Sequence, residues 1–391
     1  MKIEMEVQII SKKNIKPSSP TPSHLRIFKF SLLDQLSPSS YSPLILFYPM
    51  NNNSTHPDVS RRLSLLKSSL SRTLTLFYPL AGNIKNELSI DCYDEGAYFA
   101  EARVSSCSLH EFLTQPDLLL IYKLLPCEFP FMELAPGSYV MCIQANVFSC
   151  DHFDGAALGT FLKGWTSAAR SCNQRISPNF LSASLFPPND ELWFKNASFS
   201  ISGEKCPTRV EVVSAFLWKS MMAASAELHG FQRPYLLTHL VNLRRRMEPS
   251  LTENSLGNSC EFSDLVGEVK KAISRIDAEF FKQIKGDEGK SVMSEFFKTV
   301  AEMGSGDEVD CFGFSSWSHF GYYGADFGWG KPVWVSSIGL TASVFMNVIV
   351  LVETRLSDGI EAWVTLDEPD MAILASNPEL LKLALLIDDS V

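Results

Sequence analysis

Apolar residues follow two rhythms along this chain, and both rhythms occur in each half. That alternation limits the possible folds more than any single motif does. SPLILFYP at 42–49, closed by Pro49, is a short apolar run of the kind that makes a buried strand. Leu63, Leu66, Leu70 and Leu74 recur instead at helical spacing, and LFYPLAG then breaks that helix with Pro79 and Gly82. LSIDCYDEGAYFAEARV reads as strand, acidic glycine turn, strand. Residues 139–148, YVMCIQANVF, alternate as a strand with Met141, Ile143, Ala145 and Val147 on one face. Ala157, Leu158, Phe161, Leu162 and Trp165 then form a helical stripe. TRVEVVSAFLWKSMMAASAELHG and SDLVGEVKKAISRIDAEFFKQIKG are amphipathic helices ended by Gly230 and Gly286. From Asp310 onward, aromatics, valine and glycine dominate and the chain reads as strands. Strands and helices mixed in both halves predict a mixed α/β fold.

A chain of 391 residues suffices for two ordinary domains or one large one. Periodicity fades over 170–200, where Ser, Asn and Pro accumulate around LFPPND, so this is the expected linker. The predicted division is an N-terminal domain over 1–169, a crossover linker over 170–200 and a C-terminal domain over 201–391. Net charge is -10, which argues against a general nucleic-acid binder, since phosphates require a basic face. The nine cysteines include no C-x-x-C pair, so the expectation is reduced, mostly buried thiols with no metal site. The N-terminal MKIEMEVQIISKKNIKP carries charge where a signal peptide needs an apolar core, and the run Val348–Val352 is far too short to span a bilayer. A soluble cytoplasmic protein with no membrane partner is expected.

One stretch resembles chemistry. VFSCDHFDGAALGTFLKGW, 147–165, places His152 two residues before Asp154. An imidazole titrates near neutrality, and a carboxylate can fix its orientation for general-base work. His-x-Asp alone is weak, and Asp-Gly before an apolar helical stripe also fits a helix N-cap. Two further clusters stand out. Asp326–Pro332, DFGWGKP, has the glycines and proline of a tight packed turn. Arg244 to Arg246 follow an apolar run, and an arginine there is able to pair with a buried carboxylate.

Taken together, these segments resemble the plant BAHD acyltransferases, in particular the group around vinorine synthase and related alkaloid O-acetyltransferases. The resemblance runs almost end to end. It rests on IISKKNIKPSSPTPSHL, FSLLDQL (30–36), LFYPLAG (76–82), DCYDEGA (91–97), DGAALGTFLKGW (154–165) and SASLFPP (182–188) in the first half. TRVEVVSAFLWK (208–219), VNLRRRMEP (241–249), SLGN (255–258), FGFSSW (312–317), DFGWGKP (326–332) and GIEAWVTLDEPDM (359–371) carry it through the second. The resemblance implies two similarly built domains of mixed sheet and helices, chloramphenicol-acetyltransferase-like, with a channel between them. It implies acyl transfer, most readily acetyl, from a coenzyme A thioester to a hydroxyl of a specialised metabolite such as an alkaloid. His152 is the implied base. Asp154 resembles the family aspartate that pairs with an arginine, best matched by Arg244, and Asp326 resembles a structural residue. Acyl-CoA enters as cosubstrate. No bound cofactor or metal and no macromolecular partner is implied, and a monomer is expected.

The chain departs from the family pattern at this motif. The family spacing is His-x-x-x-Asp-Gly, yet Cys150 stands four residues before Asp154. Phe148-Ser149-Cys150 matches the end of the strand that precedes the motif, after which the family has a Gly-Gly turn and a further strand before the histidine. About one strand's worth of residues is therefore missing here. Shortened segments also lie between Leu192 and Thr208 and between Asn258 and Ser263. The alternative reading is an impaired or inactive paralogue, or a mis-spliced or trimmed gene product.

Overall fold

The computed structural model describes residues 4–35, 41–49, 56–114, 116, 118–126, 135–148, 153–154, 159–170, 207–240, 262–274, 291, 294, 298, 302, 309–337 and 347–383. Among them, thirteen strands run in chain order: β1 (Glu6–Ile15), β2 (Ile27–Lys29), β3 (Leu44–Tyr48), β4 (Asn83–Asn86), β5 (Ser89–Asp91), β6 (Ala97–Ser105), β7 (Cys142–Phe148), β8 (Phe153–Asp154), β9 (Tyr235–Leu240), β10 (Asp310–Ser316), β11 (Trp334–Ser337), β12 (Asn347–Glu353) and β13 (Ile360–Thr365). They form three sheets, ordered β1-β6-β7-β8-β3-β11, β13-β12-β10-β9 and β2-β5-β4. The expected α/β mixture is present in both halves.

The first sheet is built around β3, whose five residues are all buried, as its unbroken apolar run predicts. β7 is also enclosed. Ile143, Gln144, Ala145 and Asn146 are all buried, so the single apolar face read from its alternation becomes two covered faces. Its amide nitrogens find acceptors: Gln144 Nε2 donates to Lys123 O at 3.1 Å and Asn146 Nδ2 to Leu124 O at 2.7 Å, while Gln144 Oε1 is buried without a hydrogen bond. The strands read from LSIDCYDEGAYFAEARV do form, but β5 lies in the small sheet and β6 in the large one. At the turn between them, Asp94 adopts φ 62° and accepts from Thr21 N and Oγ1 at 2.9 and 2.6 Å. Gly82 leads into β4, where a Cβ would meet Asp91 O at 2.5 Å and Ile90 Cγ2 at 2.6 Å.

The helix His56–Leu76 lays Leu66, Leu70 and Leu74 on the first sheet's core, beside Phe161, Leu162 and Trp165 of the helix Gly159–Ala169. Trp165 Nε1 donates to Ser69 Oγ at 2.9 Å and to Leu66 O at 3.2 Å, so its buried polar atom is satisfied. In the second half, the helix Arg209–His229 begins with a reciprocal Thr208/Glu211 capping box and ends at Gly230, φ 78°, as its sequence predicts. The helix expected over 263–286 is described as Phe262–Ser274. The strand-rich last third closes with two short helices, Glu368–Ala375 and Pro378–Leu383.

Two features join the halves. β11, from the second half of the sequence, pairs antiparallel with β3 and completes the first sheet. β12 divides its side chains by strand alternation: Val350 and Val352 enter the first core, Ile349 and Leu351 the second. The expected linker beyond Arg170 lies outside the described residues.

Candidate active site

β8 is where the sequence motif meets the sheet. Asp154 stands opposite Asn146 on β7 and opposite Phe47 on β3; Phe153 stands opposite Val147 and Tyr48. Asp154 is therefore a sheet residue, and the helix that follows is described over Gly159–Ala169. Pairing on both sides of the backbone holds Asp154 in extended conformation. His152, Arg244 and Arg246 lie outside the described residues.

β8 is described over two residues, beside the seven of β7 and the five of β3. Across it the described pairings reach Phe47 and Tyr48 of β3 and Asn146 and Val147 of β7. Asp154 also sits at the C-terminal end of β7; a full intervening strand would carry a following motif about 20 Å to the other end. There, Tyr41 OH donates to Tyr139 O at 2.6 Å, with Cys142 Sγ 3.8 Å away. Burial raises both groups, the Cys142 thiol to about 12, so this thiol is not a nucleophile at neutral pH.

The same cross-strand row continues through the sheet. Phe47 is opposite Trp334 of β11, and their rings stack with centroids 5.1 Å apart. Trp334 Nε1 donates to both carboxylate oxygens of Glu361 on β13, at 3.2 and 3.3 Å. Burial pushes the Glu361 carboxyl up to about 7, while the indole of Trp334 and then that of Trp363 pull it down. Trp363 Nε1 nevertheless makes no hydrogen bond of normal geometry. Neither Glu361 nor Trp334 belongs to a motif that carries chemistry; the signal in the sequence is an acid inside the otherwise apolar strand text GIEAWV.

The DFGWGKP turn closes against the row's other side. Asp326 Oδ1 accepts from Gly328 N at 2.8 Å and Gly330 N at 3.0 Å, and both glycines have positive φ, 105° and 110°. Phe327 is buried among Tyr48, Trp165 and Trp329, with centroids 6.0, 5.0 and 5.5 Å away. The turn therefore locks a plug into the first core. The Arg62 guanidinium lies over Trp329 at 5.2 Å; its Nη1 is buried without a hydrogen-bond partner, and burial lowers its pKa. Among the described residues no cluster of His, Cys, Asp and Glu is arranged to hold a metal.

Comparison with known proteins defines the class. The sequence pattern of the Transferase family matches residues 5–202 and 190–381. The chain is 39% identical to epi-neemfruitin B 7-O-acetyltransferase of Melia azedarach over 97% of its own length and 98% of the relative's. It is also 39% identical to the limonoid 7-O-acetyltransferase of Citrus sinensis, covering 98% and 99%. The Melia match spans 448 aligned positions against a chain of 391 residues, so the relative carries several dozen residues with no counterpart here. Vinorine synthase superposes with a TM-score of 0.73 at 29% identity, covering 98% of this chain and 99% of that one. F. sporotrichioides TRI101, solved with coenzyme A and T-2, shares the fold at a TM-score of 0.59 and 18% identity, covering 92% and 99%. The chain belongs to the BAHD branch of the Transferase family and has its two-domain, chloramphenicol-acetyltransferase-like fold. It is an acyltransferase of plant specialised metabolism.

Proposed function

We propose that the chain transfers an acetyl group from acetyl-CoA to a secondary hydroxyl of a polycyclic plant alcohol, a limonoid first and an alkaloid second. The observation that carries this reading is the end-to-end match, at 39% identity, to enzymes named as 7-O-acetyltransferases. His152 acts as general base. It removes the hydroxyl proton as the oxygen attacks the thioester carbonyl, and it returns a proton to the departing coenzyme A thiolate. Asp154 orients the segment and pairs with Arg244. The coenzyme and the acceptor meet in a channel between the halves, and residues 170–200 cross from one half to the other, as the family resemblance implies. The working form is a cytoplasmic monomer with small-molecule partners, as the family resemblance implies; among the described residues no helix is long and apolar enough to cross a membrane.

The preserved cores and the satisfied DFGWG turn support a working enzyme over an inactive paralogue. The test incubates the purified chain with acetyl-CoA and a panel of limonoid and alkaloid alcohols, following thiol release and acetylated product by mass. Turnover with at least one alcohol is expected, falling about 10²-fold or more in His152→Ala. A folded chain that acetylates none of them overturns the reading in favour of the inactive paralogue. Turnover unaffected by His152→Ala removes the base assignment alone.

A further inference from the structure

Glu361 lies outside every motif discussed above except as part of the family text, yet it occupies a singular place. It is carried by the second half's sheet, and its carboxylate receives the indole N–H of Trp334, which belongs to the first half's sheet. Trp334 stacks on Phe47, its cross-strand partner, and Phe47 is the cross-strand partner of Asp154. One row of residues therefore leads from β13 across β11 and β3 to the two-residue strand bearing the motif. We infer that Glu361 is a positioning residue for the candidate active site, holding the Trp334–Phe47–Asp154 row in place through its hydrogen bond to Trp334. This inference rests on the proposed role of the His152–Asp154 segment.

Three observations carry it. First, Phe47 is paired with Asp154 on one side and with Trp334 on the other, so β3 meets both ends of the row at one residue. Second, β11 ends the described strand order of its sheet, and two hydrogen bonds attach it to residues of the second half. Val335 N donates to Tyr323 OH at 3.2 Å, and Trp334 donates to Glu361. Third, Trp334 is also packed against Trp363, with centroids 5.7 Å apart, so a shift of its indole moves against β13 as a unit. The titratable groups around the tie are few. Tyr323 faces Glu361 from the turn Tyr322–Gly324 and is raised by burial and then by that carboxylate; Arg355, in the β12–β13 turn, acts on Tyr323 in the opposite sense. Glu361 itself titrates at about 7, so its charge and the strength of the tie change across neutral pH.

The experiment compares the full chain with Glu361→Gln, which keeps a side-chain oxygen and removes the charge, and with Trp334→Phe, which keeps the ring stack and removes the donor. Near-ultraviolet circular dichroism of the indoles should change with a midpoint at about pH 7 in the native chain and lose that transition in both variants. Hydrogen exchange at residues 153–154 should quicken about fivefold in Trp334→Phe, which removes the donor of the tie. The kcat for acetyl transfer should fall about fivefold in the same variant, with KM for acetyl-CoA unchanged. A dichroic transition that persists in Glu361→Gln overturns the tie. Exchange changes confined to residues 330–337 and 360–365, or a kcat unchanged in Trp334→Phe, overturn the positioning role. A chain without turnover refutes the proposed function, and the dichroic and exchange measurements still decide the coupling.

Discussion

Asp326→Ala is the substitution that best separates a structural role from a chemical one in the DFGWG turn. Asp326 accepts two backbone N–H groups on a single oxygen, at 2.8 and 3.0 Å, and is only half-buried. No ion pair to Asp326 occurs among the described residues, so the cost of an uncompensated buried charge does not arise. A hydrogen bond to a charged acceptor contributes about 1.5–3 kcal/mol, but two bonds sharing one oxygen at a solvated site do not add. The expected loss is about 2 kcal/mol, or a fall in Tm of about 4–8 °C for a domain of this size. Asp326→Asn keeps the accepting oxygen and should lose less than half as much. Phe327→Ala removes the plug between Tyr48, Trp165 and Trp329 and should cost about 3–5 kcal/mol. The assay is thermal and urea unfolding followed by tryptophan fluorescence, with acetyl transfer measured well below Tm. An Asp326→Ala chain that melts normally but turns over slowly would refute the structural assignment, as would an Asn variant no better than the Ala variant.

Other outcomes follow from the same geometry. Glu361 keeps its proton in the folded state up to about pH 7 but releases it near 4.5 when unfolded, so the stability it contributes is complete below pH 4.5 and lost as pH rises through 7. Glu361→Gln should therefore flatten the stability–pH curve over that window, by up to about 3 kcal/mol, as read by urea midpoints; an unchanged slope contradicts the buried acid. Gly82→Ala places a methyl within 2.5 Å of Asp91 O, a backbone atom, and should yield insoluble or strongly destabilised protein; normal expression and melting would show that the β4–β5 corner yields. Inserting the family pattern's Gly-Gly turn and strand between Cys150 and Asp154 should raise Tm by about 5 °C or more and increase the transfer rate, because several ladder hydrogen bonds form. A chain that gains neither stability nor rate counts against the missing-strand reading.

Local patterns fixed the parts whose cause is local. The helix Arg209–His229 was readable because its cap, its stop and its apolar face are all written within two dozen residues. The five-residue run of β3 announced a strand covered on both faces. The shortened segment before Asp154 was also visible, because the family text on either side is intact. Pairings between distant segments were not readable. Nothing in YVMCIQANVF says that Gln144 and Asn146 will be buried, since their partners are main-chain carbonyls at Lys123 and Leu124. Nothing in FDGAAL says that Asp154 pairs in a sheet, because its partners Phe47 and Asn146 belong to segments distant or separately folded from it. The tie from Glu361 to Trp334 joins two sheets and residues 27 apart, and only the packing of one sheet against the other brings them within a hydrogen bond. Sequence determines which backbone states are cheap, whereas the tertiary structure determines which unsatisfied edge or buried charge each segment must answer.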